Sequence, residues 1–132
     1  MQSTSPYVAI VDDDASVCRA IRRLLLSIDI EADIFISGEE FLSAWSKKPA
    51  RSPACVLLDI HMPGKNGLEI QRQLSGSGIS VIIMTAFDEI GLHQQALCSG
   101  AAGYLRKPFS ESILLSTVKT ALQEAASSET KI

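Results

Sequence analysis

Three short apolar runs punctuate the chain at wide intervals: Tyr7–Val11, Ala54–Leu58 and Ile79–Met84. None alternates polar with apolar positions. Continuous runs of this length suit parallel strands covered by helices on both faces. Glu31–Ile36 and the short Gly103–Leu105 read as two weaker strands. Helical periodicity fills the intervals. Val17, Ala20, Ile21, Leu24, Leu25 and Ile28 form one apolar stripe, with Arg19, Arg22 and Arg23 on another, solvated face. Phe41, Leu42 and Trp45 mark a second helix, capped by Ser37 with Glu40 three residues on. Gly67–Leu74 predicts a third, and Asp88–Ser99 a fourth that stops at Gly100. Leu114, Val118, Ala121 and Leu122 mark a fifth, starting near Ser110 with Glu111 in its first turn. The small, polar residues after about Ala126 are expected to fray. Strand followed by helix, five times over, predicts right-handed crossovers and a parallel five-stranded sheet. One domain over residues 7–126 is expected, between tails at 1–6 and 127–132.

Bulk properties narrow the possibilities. With 132 residues, a net charge of −3 and a pI near 5.3, the chain lacks the basic balance of a nucleic-acid-binding domain. No run approaches the ~18 apolar residues of a membrane span, so no membrane partner is expected. The N-terminus lacks a basic stretch followed by an apolar run, so no secretory signal is visible. Cys18, Cys55 and Cys98 are odd in number and widely spaced, with no metal-ligand spacing. They read as reduced, small hydrophobes in a cytoplasmic protein.

Chemistry collects at one edge. In open parallel sheets, ligands lie beyond the carboxyl ends of the strands. The first strand runs into Asp12, Asp13 and Asp14, the third into Asp59, the fourth into Thr85, and the fifth is followed by Arg106 and Lys107. Clustered carboxylates repel one another, and a hard divalent cation resolves that repulsion. Carboxylate ligands with retained water suit Mg²⁺, and no soft ligand set suited to zinc is present. A carboxylate beside Mg²⁺ and the Lys107 ammonium is a competent nucleophile toward phosphorus. The transferred group needs several donors for its equatorial oxygens, and the Lys107 amine, the Thr85 hydroxyl and backbone N–H groups can supply them. Asp14, at the start of the first helix, reads as its cap rather than as a metal ligand.

Four motifs in order, Ile10-Val11-Asp12-Asp13-Asp14, Leu57-Leu58-Asp59-Ile60-His61-Met62-Pro63-Gly64, Met84-Thr85-Ala86 and Leu105-Arg106-Lys107-Pro108-Phe109, resemble the receiver domain of two-component response regulators. The resemblance runs from about residue 7 to residue 124. It implies a doubly wound (βα)5, flavodoxin-like fold with strand order 2-1-3-4-5. It implies Asp59 as phosphoacceptor for a sensor histidine kinase, and Mg²⁺ held by Asp12, Asp13, Asp59 and the backbone carbonyl of His61. Thr85 and Tyr104 are then the switch residues, Lys107 the phosphoryl contact, and Lys107–Pro108 a cis bond. Such a domain catalyses only its own phosphorylation and dephosphorylation. Its signalling face, formed by the fourth helix, fifth strand and fifth helix, would also serve a homodimer. The Ser37–Leu42 and Gly67–Glu69 stretches look most like the branch with a C-terminal LuxR-type helix-turn-helix domain, so DNA would be met only by an output domain outside these residues. Ser80 stands where the family often has proline.

Two rivals are distinguishable. In a haloacid-dehalogenase-like phosphatase Asp12 would attack and Asp14 would be the acid. A receiver-like module signalling without phosphate would usually have lost part of the acidic pair, acceptor and lysine, all of which are present.

Overall fold

The computed structural model describes residues 7–46, 53–60, 67–74, 76–85 and 101–130. Nine elements follow in order among these: β1 Tyr7–Val11, α1 Ala15–Leu26, β2 Glu31–Phe35, α2 Gly38–Ser46, β3 Cys55–Asp59, α3 Gly67–Leu74, β4 Ser80–Thr85, β5 Gly103–Arg106 and α4 Glu111–Thr130. The helix expected over 88–99, the His61–Gly64 turn, Ala86 and Cys98 lie outside the described residues. All strand pairs are parallel, in the order β2-β1-β3-β4-β5, as expected.

The unbroken apolar strands have two faces to fill. In β1, β3 and β4, Val8, Ile10, Cys55, Leu57, Ile82 and Met84 join one layer with Cys18, Ile21 and Leu25 of α1 and Leu114, Val118 and Ala121 of α4. Their alternates Ala9, Val11, Val56, Leu58, Val81 and Ile83 join the opposite layer with Phe41 of α2 and Ile70 and Leu74 of α3. Period-two alternation of side chains thus divides each run between two cores, so no strand position could be polar without a cost.

Helix starts follow side-chain caps. The Asp14 carboxylate accepts from the N–H groups of Ser16 and Val17 at 3.0 and 3.3 Å. Ser37 Oγ accepts from Glu40 N–H at 3.0 Å, while the Glu40 carboxylate accepts from Ile36 N–H at 2.8 Å, a reciprocal cap of the expected kind. Ser110 Oγ accepts from Ile113 N–H. The first helix ends earlier than its stripe. Ile28 belongs to a turn in which Ile30 N–H bonds Leu25 O at 2.9 Å and Asp29 N–H bonds Leu26 O at 3.0 Å. This Schellman closure needs a left-handed residue, and Asp29 fills it with φ of 65°. Asp29→Gly is therefore expected to stabilise the fold by about 0.5–1 kcal/mol, because glycine adopts that conformation without Cβ strain and removes an anion from the negative end of the helix. A rise in the urea midpoint at unchanged slope would show it.

Strand ends shift by one residue: Asp59 and Thr85 are the last residues of β3 and β4 rather than the first beyond them, and β5 reaches Arg106. The last helix runs to Thr130, past the Ala126 where a tail was expected to begin. No described helix is long and apolar enough to cross a membrane.

Candidate functional site

Parallel pairing aligns the carboxyl ends of β1, β3 and β4, because Val11 lies beside Leu58 and Asp59 beside Met84. That register brings Asp12 and Asp59 to one edge, and Asp13, the residue after Asp12, is exposed there. Carboxylate oxygens of Asp12, Asp13 and Asp59 all lie within 4.8 Å of one another. Asp12 is fully buried and Asp59 nearly so, at 0% and 5% exposure, whereas Asp13 is exposed.

The Asp12 carboxylate is held at both oxygens. Its Oδ1 accepts from Asp14 N–H at 2.9 Å and its Oδ2 from Lys107 Nζ at 2.6 Å. Lys107 Nζ is 3.6 Å from Asp59 Oδ2. The lysine is aimed from a short loop: its N–H donates to Thr85 O at 2.7 Å, and the Lys107–Pro108 bond is cis, as expected. Burial alone would lower the Lys107 pKa. The hydrogen bond to Asp12 and the charges of Asp59 and Asp12 outweigh that, and the net displacement is upward, so the ammonium stays charged at neutral pH.

Thr85 is fully buried at the end of β4. Tyr104 lies beside Ile83 in the register, half-buried against the layer of α2 and α3. Ile83, Thr85 and Tyr104 therefore share one face of the sheet, the arrangement a coupled pair requires. Asp14 caps α1 with its carboxylate, which leaves Asp12, Asp13 and Asp59 as the oxygen donors.

Those donors fit a hard divalent cation. Among the described residues soft donation is not on offer: the buried Cys18 Sγ bonds the Asp12 backbone carbonyl at 3.3 Å, and burial together with the neighbouring aspartates pushes its thiol up to about 11. His61 lies outside the described residues.

Sequence reasoning missed one feature. Val17, Ala20, Ile21 and Leu24 of α1 face Lys107, Pro108 and Phe109 across an open apolar cavity of about 520 Å³. The stripe on α1 is wider than its core contact, and the small Ala20 leaves part of it uncovered. Only the width of that stripe could have signalled it.

The same fold recurs in known proteins. A receiver protein from Burkholderia phymatum is 51% identical and superposes with a TM-score of 0.83 over 90% of this chain and 96% of its own. The response regulator StyR is 36% identical, with a TM-score of 0.83 over 96% of this chain and 63% of its own. Response regulator protein TodT of Pseudomonas putida is 32% identical over 95% of this chain and 55% of its own length. Transcriptional regulatory protein TdiR of Thauera aromatica is 35% identical over 87% and 50%. The chain thus spans about half the length of the curated relatives it matches. Residues 8–119 match the response regulator receiver domain, and the chain belongs to that family.

Proposed function

We propose that Asp59 accepts a phosphoryl group from a phosphohistidine on a sensor kinase, with Asp12, Asp13 and Asp59 holding Mg²⁺. The observation that carries this is the meeting of three carboxylates within 4.8 Å with an ammonium 3.6 Å from Asp59. An Asp59 oxygen attacks phosphorus, the P–N bond breaks, and the imidazole keeps the electron pair. Bound Mg²⁺ supplies charge neutralisation for the transferred oxygens. Lys107 contributes a second positive charge, and the Thr85 hydroxyl a further donor. Water later cleaves the acyl phosphate, returning the carboxylate and inorganic phosphate, so the domain ends its own signal. The apolar cavity between α1 and Pro108–Phe109 borders Lys107 and is the face at which a donor protein would seat its histidine beside the site.

Phosphate on Asp59 would draw Thr85 toward it and let Tyr104 turn inward, reshaping the face that includes β5 and α4. That face would carry the signal, and a homodimer if one forms. Relatives about twice as long, among them transcriptional regulators, support transcription control through a C-terminal output domain outside these residues, the part that would meet DNA in the cytoplasm. Incubation with acetyl phosphate and Mg²⁺ followed by intact mass measurement is the test. The expected result is a gain of one phosphoryl group, absent with a chelator and lost on mild alkaline treatment. An alkali-stable adduct would point to a different acceptor chemistry.

A further inference from the structure

We propose that the cavity beside Lys107 is a leaving-group subsite that selects low-molecular-weight phosphodonors with a flexible apolar acyl chain, an inference that rests on Asp59 as the phosphoacceptor.

The lining of the cavity is sorted by polarity. Among the described residues, α1 and the Pro108–Phe109 pair supply apolar wall, and Lys107 is the single charged group. Lys107 Nζ also stands 3.6 Å from Asp59 Oδ2, so the charged end of the cavity meets the reacting carboxylate. A ligand matched to that gradient has an anionic head and an apolar tail. An alkyl acyl phosphate has this form. An Asp59 oxygen attacks phosphorus, the bond from phosphorus to the acyl oxygen breaks, and the carboxylate leaves with the electron pair. In-line displacement puts the leaving group on the side of phosphorus away from Asp59. Asp59 ends β3, so the acyl chain emerges beyond the sheet edge, beside the loop that carries Lys107 into Pro108 and Phe109. A cavity of about 520 Å³ is in the range of small-molecule sites and far larger than an acetyl group. Ala20 and Pro108 are exposed, and Val17, Leu24 and Phe109 are half-buried, so apolar surface is there to be covered. Covering it favours a longer chain in proportion to the methylenes that leave water.

Labelling of the whole chain at saturating Mg²⁺, read by intact mass, would compare acetyl, butyryl and hexanoyl phosphate. Their leaving groups are alkyl carboxylates of closely similar basicity, so a difference in second-order rate constant reports binding of the chain rather than chemistry. Hexanoyl phosphate is expected to react about tenfold faster than acetyl phosphate, with butyryl phosphate between them, because its four extra methylenes are partly covered. Ala20→Phe and Ala20→Gln fill the cavity from an exposed helix position, and in either variant the ratio of hexanoyl to acetyl rates should fall to about one. The ratio is taken within each protein, so a general change in rate cancels, and one folded variant suffices. Hexylphosphonate has the head and the tail but no transferable group. It should shift the backbone amides of Val17, Leu24 and Phe109 in the wild-type chain, and methylphosphonate should leave them unmoved. Equal rates for the three donors, a preference that survives in the Ala20 variants, or hexylphosphonate shifts confined to other residues overturns the subsite while Asp59 remains the acceptor. Absence of labelling by every donor overturns the acceptor reading, and the subsite with it.

Discussion

Asp59→Asn is expected to fold normally and to take up no phosphoryl group from acetyl phosphate under conditions that label the wild-type chain to completion. The amide is nearly isosteric and removes one negative charge from a group of three carboxylates within 4.8 Å, so stability should not fall. What is lost is the nucleophile: a neutral amide oxygen has no free charge to place on phosphorus. Asp12 is a poor substitute. It is fully buried, and its two oxygens already accept from Asp14 N–H and Lys107 Nζ. Asp13 is exposed but has no such ammonium at its side among the described ion pairs. Intact mass before and after labelling decides the matter. Full labelling of the variant would remove Asp59 as acceptor, and recovery of the label on Asp12 would revive the phosphatase reading, in which Asp12 attacks. That reading already loses its acid, because the Asp14 carboxylate is engaged in capping α1.

Much of this was legible in the chain because the physics behind it is local. The runs around Ile10, Leu57 and Ile83 suit strands with both faces covered, and the structure divides each between two apolar layers. Once they are strands, the residues at their carboxyl ends follow, and Asp12, Asp59, Thr85 and Lys107 reach one edge. Asp14 and Ser37 were legible as caps for the same reason, since a cap bonds within three residues of itself. The sequence was silent where the outcome depends on separations across the fold. That Lys107 lies closer to Asp12 than to Asp59 is decided by the loop bonded to Thr85, which is far from Asp12 in the chain. The cavity beside α1 depends on how far Pro108 and Phe109 reach over Ala20. The early end of α1 was hidden because Ile28 keeps the helical spacing although the backbone has already turned, with Asp29 in the left-handed region.

Asp13→Asn should separate the demands of the fold from those of the site. The Asp13 carboxylate lies within 4.8 Å of two others, and Lys107 is the cation shown paired with the group. Two unit charges at that range repel by about 3 kcal/mol at an effective dielectric of 20, and exposure to solvent reduces the share that bears on stability to about 1 kcal/mol. Without metal, Asp13→Asn is therefore expected to unfold at a higher urea concentration than wild type. With metal the balance reverses. An anionic ligand becomes a neutral one, and Mg²⁺ affinity should fall roughly 100-fold, equivalent to about 2.7 kcal/mol at constant geometry. Labelling by acetyl phosphate should fall in step at low Mg²⁺ and recover partly at high Mg²⁺, because Asp59 and Lys107 are untouched. A variant that is less stable without metal would mean that Asp13 has a favourable partner which outweighs the repulsion. Undiminished Mg²⁺ affinity would remove Asp13 from the metal site. The expected pair of results, a more stable chain that labels less well, follows from one cause: three carboxylates are gathered where the fold alone would avoid them, and a divalent cation is the partner that makes the gathering favourable.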